Sequence, residues 1–494
     1  METIGHWIGG APTAGTSGRV GVVYDPARGV QTAEVAFASK AEVDDAVKIA
    51  VEASHGWGGT SLGRRVGRLF KLRDLIDEHR DELAAAVTSE HGKTLADARG
   101  EVDRGLECVE FACGLPHLLK GAHSSEVSGG VDVHTVLQPV GVVAGITPFN
   151  FPVMVPLWMM SNAIACGNSF VLKPSEKDPK ASLVLAELVR DAGFPDGVLT
   201  VLQGDAEAVD ALLTHPDVDA ISFVGSTPVA RHVYETGTSH GKRVQALGGA
   251  KNHMIVLPDA DVDAAADAAV SAGYGSAGER CMAISVAVAV GPVADELVAA
   301  IVARIPDVVV GPGDREDSMM GPLITPQHRE RVRSYVEGAA AEGAQVVVDG
   351  RSGPGGDGFF VGCSLVDHVK PGMRVYDDEI FGPVLSVVRV GTYDEAVSLV
   401  NANPYGNGVA LFTRDGGAAR RFERDIDVGM VGVNVPIPVP VGSFSFGGWK
   451  ASLFGDSAMY GPDGIRFYTR PKVVTSRWPE PTASQIDLGF PTSR

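Results

Sequence analysis

Cysteine is scarce in this chain: five occur among 494 residues, too few for a disulfide framework. No C-x-x-C pair, H-E-x-x-H motif or EF-hand loop is present, so the sequence offers no recognisable metal site. The first residues lack the basic segment and apolar core of a secretory signal. These absences favour a metal-free protein of a reducing, cytoplasmic compartment.

Basic residues are also under-represented. Lys and Arg number 42 against 61 Asp and Glu, which gives a net charge of −19. A surface this acidic repels phosphate backbones and anionic lipid, so nucleic acid and membrane surfaces are not expected as partners. An anionic small molecule can bind only where local N–H donors or basic side chains outweigh the overall field.

No apolar run is long enough to cross a bilayer without interruption. The longest, residues 140–167, contains three prolines and two asparagines, and we interpret it as a buried strand, a turn and a helix. Residues 66–120 before it have the periodicity of amphipathic helices. Short apolar strands then alternate with helices as far as residue 413, which predicts an α/β fold with mostly parallel sheets.

Two stretches depart from this alternation of strands and helices. Residues 131–140 and 465–478 both resemble strands with mixed polar faces. Such strands pair across subunits or simply form the edge of a sheet, and the sequence does not separate these two interpretations.

Two glycine-containing motifs match known sites by spelling alone. Residues 273–278 read G-x-G-x-x-G, and residues 237–241 read G-x-S-x-G around Ser239. A phosphate-binding loop and a hydrolase nucleophile must each follow a strand. Both segments instead follow helical patterns, so we interpret both as chance matches.

Cys281 differs from the other cysteines. Apolar or helical settings typical of small buried residues surround the other four: Cys108, Cys113, Cys166 and Cys363. Cys281 follows a glycine-rich loop and adjoins Arg280, a cation expected to lower the pKa of its thiol. On spacing alone, a catalytic nucleophile and a buried structural thiol are about equally good interpretations.

Other polar residues follow predicted strands. Asn150 lies in a proline-flanked turn, where its amide could bind a developing oxyanion or simply form the turn. Gly225 and Ser226 precede a helix whose free N–H groups suit a phosphate. Glu379 stands ahead of a further buried strand.

The segment LKPSEK contributes a cluster of charges after another strand. Lys173 and Glu176 suit ribose hydroxyls, and Lys177 suits a phosphate. Taken by itself, this cluster is explained better as a solvated charged surface.

Six segments together resemble the aldehyde dehydrogenase superfamily over nearly the whole chain. In order, they are TPFNFP, LKPSE, FVGSTPVA, GERCMA, EIFGPV and SFGGWKAS. The resemblance implies a Rossmann-like NAD domain, an α/β catalytic domain and a small β oligomerisation arm that assembles a homotetramer. The implied boundaries are 1–130 with 141–249 for the NAD-binding domain, 250–440 for the catalytic domain, and 131–140 with 465–494 for the arm.

The resemblance also implies a set of site residues. Cys281 would be the nucleophile and Asn150 the oxyanion donor. The implied NAD-binding residues are Thr147, Phe149, Lys173, Glu176, Lys177, Gly225, Ser226, Gly248 and Glu379.

One departure from the family pattern indicates the subclass. Hydrolytic members carry a glutamate general base in E-L-G-G, whereas this chain has Ala246 at that position. Water, with a pKa of about 15.7, needs such a base, but a thiol with a pKa of about 8.5 is already partly ionised near neutrality. The acyl-enzyme is therefore expected to wait for coenzyme A.

Further segments, among them GGAKNHMIVL and GVNVPIPVP, resemble the CoA-acylating branch that oxidises methylmalonate semialdehyde. That resemblance implies NAD as cofactor, coenzyme A as co-substrate, and Arg104 and Arg280 as partners of the substrate carboxylate. The alternatives are a CoA-acylating enzyme for another short carboxy-aldehyde and a non-catalytic NAD-binding or structural protein.

Overall fold

The computed structural model describes residues 2–478, and its first large sheet has eight strands. The five central strands are parallel to one another, and the outer ones join antiparallel. Their buried, continuous apolar sequences are typical of a parallel sheet covered on both faces. In spatial order the strands are Leu453–Phe454, Arg243–Leu247, Ala220–Val224, Val142–Ile146, Ser169–Lys173, Leu199–Val201, His6–Ile8 and Ala11–Thr13.

Helices cover both faces of this sheet. One face packs against Lys40–Gly58, Ala206–Thr214 and Thr227–Ser239. These three helices share one apolar cluster with the sheet. A second apolar cluster includes side chains from Leu62–Glu78, Arg80–His91, Leu95–Cys113, Leu115–Leu118, Met154–Ala165, Lys180–Asp191 and Gly461–Phe467. The amphipathic helices predicted over residues 66–120 are confirmed.

A second sheet has seven strands and its own apolar core. All neighbours are parallel except the first pair. In order its strands are Gln345–Val348, Ser364–Asp367, Val384–Val390, Ile284–Val290, Asn252–Val256, Gly408–Phe412 and Met430–Val433. The helices of this part are Val262–Tyr274, Ala294–Arg304, Pro326–Ala339, Arg374–Asp377, Tyr393–Ala402 and Gly416–Asp425. The predicted α/β class is confirmed.

The two stray stretches pair with each other. Thr469–Arg477 and Val131–Pro139 form an antiparallel pair, and His123–Ser128 completes a three-stranded sheet. The prediction that a strand begins at residue 465 is wrong, because Gly461–Phe467 is a helix that buries Ile465 and Phe467. Residues 479–494 of the predicted arm lie outside the described residues.

Two smaller sheets complete the fold. Glu2–Ile4, Val20–Asp25 and Val30–Ala36 form one, and Tyr405–Gly406 with Trp449–Lys450 forms the other. In the part of the chain that the structure describes, no helix combines the length and apolar character needed to span a membrane.

Candidate active site

The glycine-rich segment before Cys281 is not a phosphate loop. Helix Val262–Tyr274 leads into it, and a short 3-10 turn occupies Gly275–Gly278. Ser276, Ala277 and Gly278 all have left-handed backbones, with φ of 53°, 52° and 73°. For two non-glycine residues this conformation costs about 1–3 kcal/mol each. A strained turn therefore delivers the cysteine. The helix before it agrees with the interpretation of G-x-G-x-x-G as a chance match. The motif G-x-S-x-G likewise begins inside a helix, Thr227–Ser239, rather than after a strand.

Two asparagines hold the backbone of Cys281. The Nδ2 atoms of Asn252 and Asn407 donate to its carbonyl at 2.8 and 3.2 Å. The backbone N–H groups of Cys281 and Met282 are directed at the sulfur, and they lower the pKa of the thiol. Sequence reasoning missed both asparagines, although KNH and GNG display them.

Arg280 lowers the pKa of the Cys281 thiol, the direction expected from the sequence, but it is not the main influence on that group. Burial, followed by the nearby carboxyl of Glu379, raises the pKa of the Cys281 thiol to about 12. Although the residue as a whole is half-buried, its sulfur is enclosed by protein. The surroundings of Cys281 therefore favour the neutral thiol over the thiolate.

Asn150 follows strand Val142–Ile146 and is 3% exposed. Within residues 2–478 its side-chain amide has no hydrogen-bonding partner, while its backbone carbonyl accepts from Lys93. The amide is therefore available to a ligand, and the backbone that carries it is held in place.

Several predicted cofactor residues lie at one edge of the eight-stranded sheet. Thr147, Lys173, Gly225 and Gly248 each end or follow a central strand, and carboxyl ends of neighbouring parallel strands share an edge. Among residues 2–478, the buried hydroxyl of Thr147 has no hydrogen-bonding partner. The Ser226 side chain makes no capping bond to the helix that it precedes, so it does not satisfy the first N–H groups of that helix. These features fit a dinucleotide.

Three of the predicted cofactor residues, Gly248, Lys173 and Lys177, already have partners within the protein. The N–H of Gly248 already donates to the Ser452 carbonyl at 3.0 Å. Lys173 pairs with Glu176 at 3.5 Å, and burial lowers the pKa of its ammonium group. Lys177 lies over the ring of Phe149, 4.6 Å from its centroid, rather than beside that pair.

Glu379 is brought to the nucleophile from a distant segment. Its Oε1 accepts the N–H of Ala250 at 2.9 Å, and a Cβ at Gly249 would collide with its other oxygen. Burial raises the pKa of this carboxyl, and its charge acts on Cys281. The structure thus joins Glu379 and Cys281 at one site.

Arg104 lies at a second wall of the same site. Its Nη1 donates to both carboxylate oxygens of Glu107 at 2.9 Å, and its Nη2 donates to the Pro440 carbonyl at 2.9 Å. The Tyr460 hydroxyl donates to that same carbonyl at 2.8 Å. Burial raises the pKa of Tyr460, and Arg104 and Cys281 both act on it electrostatically.

Arg280 faces elsewhere. Its Nη2 pairs with Asp97 on helix Leu95–Cys113, and its side chain lines a cavity of about 420 Å³ with Tyr274, Arg304 and Met320. Neither Cys281 nor Tyr460 lines that cavity. Arg280 is therefore paired with Asp97, while its charge still acts on Cys281.

Ala246 is fully buried within strand Arg243–Leu247. It packs in an apolar cluster with Ile146, Phe223 and Val244. This position therefore supplies no proton acceptor. Across residues 2–478, no group of three or more His, Cys, Asp or Glu residues is arranged to hold a metal ion.

Comparisons with known proteins identify the family of this chain. The model of the aldehyde dehydrogenase family matches residues 13–474. A malonate-semialdehyde dehydrogenase of Pseudomonas aeruginosa is 51% identical over the full length of both chains. A second, from Geobacillus kaustophilus, is 50% identical over 97% of this chain and 99% of its own.

Solved structures of two dehydrogenases superpose closely on this chain. A protein of Sinorhizobium meliloti assigned to methylmalonate-semialdehyde dehydrogenase, in complex with NAD, superposes with a TM-score of 0.97 at 52% identity over 98% of this chain and 99% of that one. The methylmalonate-semialdehyde dehydrogenase of Oceanimonas doudoroffii gives 0.96 at 52% identity over 97% and 99%.

Proposed function

The chain belongs to the aldehyde dehydrogenase family, and on that premise we propose that it oxidises methylmalonate semialdehyde, and malonate semialdehyde, with NAD, and transfers the acyl group to coenzyme A. The observation that carries the transfer to coenzyme A is Ala246, an apolar residue where a hydrolytic member has its base. The names of relatives about 50% identical support the substrate class.

Cys281 performs the first step. Its thiol gives its proton to solvent water, and the sulfur attacks the aldehyde carbon while the carbonyl electron pair moves onto oxygen. The amide of Asn150 and the backbone N–H of Cys281 donate to the resulting oxyanion. Such preorganised donors are worth about 3–4 kcal/mol each in comparable sites.

NAD supplies the electron acceptor, because its nicotinamide ring takes up a hydride from the oxidised carbon. Residues at the edge of the eight-stranded sheet would hold it: Ser226 and the helix after it would suit the pyrophosphate, and Lys173 with Glu176 would suit a ribose. Glu379 would contribute from the side of the nucleophile. The product on the enzyme is a thioester of Cys281.

Decarboxylation follows from the position of the carboxylate. The bond between that carboxylate and the α-carbon breaks, carbon dioxide leaves, and the electron pair moves into the thioester carbonyl. The donors that held the oxyanion stabilise the enolate, and protonation at carbon gives a propionyl or acetyl thioester. Coenzyme A then attacks as a thiolate and releases Cys281.

A product assay tests the proposal. With NAD, coenzyme A and methylmalonate semialdehyde, we expect propionyl-CoA, carbon dioxide and NADH in equal amounts, and acetyl-CoA from malonate semialdehyde. Mass spectrometry of the products measures this. Free propionate or methylmalonyl-CoA as the main product would contradict it.

Arg104→Ala is expected to lower kcat/KM for carboxy-aldehydes by about 10- to 100-fold, the value of a charge-assisted hydrogen bond of about 1.5–3 kcal/mol, and to leave propanal oxidation nearly unchanged. Arg280→Ala is expected to have a smaller selective effect. Both arginines have a carboxylate partner, but Arg280 lines a cavity that neither Cys281 nor Tyr460 lines, whereas Arg104 acts on Tyr460 together with Cys281.

Arg99→Ala is the matched control, since Arg99 is an ion-paired arginine on the same helix as Arg104. Equal losses on both aldehydes would show that Arg104 serves packing instead of substrate recognition.

We also propose that the three-stranded sheet of His123–Ser128, Val131–Pro139 and Thr469–Arg477 mediates assembly into a homotetramer. Its support is the exposure of two large apolar side chains, Val473 within the sheet and Trp478 directly after its last strand, with 64% and 86% of their surfaces accessible.

A further inference from the structure

A fully buried ion pair lies beneath the turn that carries Asn150. Lys93 and Glu101 are both inaccessible to solvent, and their Nζ and Oε2 atoms are 2.7 Å apart. The same ammonium donates to the carbonyl of Asn150 at 2.6 Å. Glu101 uses its other oxygen to accept the N–H groups of Val153 and Met154 at 2.8 and 3.1 Å. The pair is therefore hydrogen-bonded to the turn at Asn150 and again at Val153 and Met154.

Stability alone does not account for this arrangement. Replacing a buried ion pair by apolar residues of the same volume is often neutral or stabilising, because desolvation offsets the attraction. Here the charges are well satisfied: Lys93 also lies 4.3 Å from the ring centroid of Phe151, and both Glu101 oxygens have partners. What the pair does provide is one fixed geometry for the backbone between residues 150 and 154.

That geometry matters because the side-chain amide of Asn150 has no hydrogen-bonding partner among the described residues. No described side chain orients its amide, so the direction of the amide depends on the backbone that Lys93 and Glu101 hold. Glu101 and Arg104 also lie one turn apart on helix Leu95–Cys113. One helix thus links the oxyanion donor to the proposed partner of the substrate carboxylate.

Resting on the function proposed above, we infer that Lys93 and Glu101 are positioning residues for oxyanion stabilisation: Lys93 acts through the carbonyl of Asn150, and Glu101 through the N–H groups at the start of helix Met154–Ala165. A misplacement near 1 Å of a catalytic donor can cost about 100-fold in rate. Loss of the pair should therefore lower the chemical rate without changing how the cofactor is held.

A double-mutant cycle between Lys93→Met and Asn150→Ala tests this inference. The quantity measured is the rate of the single-turnover burst of NADH from propanal and NAD. This burst needs neither coenzyme A nor a substrate carboxylate. Lys93→Met alone is expected to slow the burst by about 10- to 100-fold, with the NAD dissociation constant unchanged. In the Asn150→Ala background the same change should cost less than about threefold, because the group that Lys93 positions is gone.

Two further variants separate positioning from folding. Lys93→Met leaves Glu101 as an unpaired buried charge, so the double variant Lys93→Met/Glu101→Gln should recover thermal stability while its burst stays slow. Lys242→Met is the matched control: Lys242 is also buried and donates to two backbone carbonyls, those of His215 and Val218, and its loss should leave the burst rate near wild type.

The outcomes are distinct. Independent, multiplying effects of Lys93→Met and Asn150→Ala, or a wild-type burst rate in the double charge-removal variant, would overturn the positioning role. A wild-type enzyme that makes no NADH from any aldehyde would overturn the proposed function itself.

Discussion

Cys281→Ser is expected to abolish NADH formation, with a fall in single-turnover rate of more than about three orders of magnitude, as for the loss of other covalent nucleophiles. A hydroxyl ionises far less readily than a thiol and is a poorer nucleophile. Stopped-flow NADH fluorescence with saturating aldehyde and NAD measures the effect. Because Cys281 lies at a turn held by Asn252 and Asn407 through its backbone, the substitution should leave the fold intact.

Cys363→Ala is the control for thiol chemistry in general. Cys363 is buried in the same part of the protein, and burial raises the pKa of its thiol to about 12, as it does for Cys281. Its loss is expected to leave the burst unchanged. Rapid NADH formation by Cys281→Ser would remove Cys281 from the role of nucleophile.

The raised pKa of Cys281 adds a condition to this result. Burial and the carboxyl of Glu379 raise the pKa of this thiol to about 12, so loss of the thiol proton is part of the first step. The sequence could not predict this, because the sign of the shift depends on burial and on Glu379, whereas only the neighbouring Arg280 is visible along the chain.

Strand ends are the feature that the sequence predicted well. Thr147, Lys173 and Gly225 follow apolar strands, and the carboxyl ends of neighbouring parallel strands meet at one edge of a sheet, so their apolar patterns suffice to bring these residues together. The family resemblance added Glu379, which a parallel-sheet rule alone could not bring to Cys281.

What the sequence did not predict were contacts that depend on burial of charge. Lys93 and Glu101 lie in a stretch, GKTLADARGE, that has the composition of a solvated helix. The pairing of Arg280 with Asp97 joins positions 183 residues apart. Helix Gly461–Phe467 was missed because Ile465 and Phe467 alternate like strand residues, yet both pack against the core.

The acyl-enzyme is expected to stall when coenzyme A is withheld. Wild-type protein with methylmalonate semialdehyde and NAD should release about one NADH per active site in a burst. It should then turn over about 100- to 10,000-fold more slowly than with coenzyme A, the usual value of a missing general base. Quench-flow measurement of NADH, with mass spectrometry of the acylated Cys281 peptide, checks both statements.

Restoring a carboxylate at position 246 is a poor test of the same idea. Ala246 packs among Ile146, Phe223 and Val244, so Ala246→Glu would bury an unpaired charge in an apolar cluster and is expected to unfold the protein before it creates a base. The wild-type enzyme is the better reporter. Rapid release of free propionate without coenzyme A would contradict the stall and point to another carboxylate, of which Glu379 is the one that acts directly on Cys281. Glu379→Gln would then decide, with hydrolysis followed on acyl-enzyme that has already formed, so that an effect of Glu379 on NAD is kept apart: if Glu379 is that base, hydrolysis falls, and if hydrolysis continues unchanged, a group other than Glu379 activates the water that attacks the thioester.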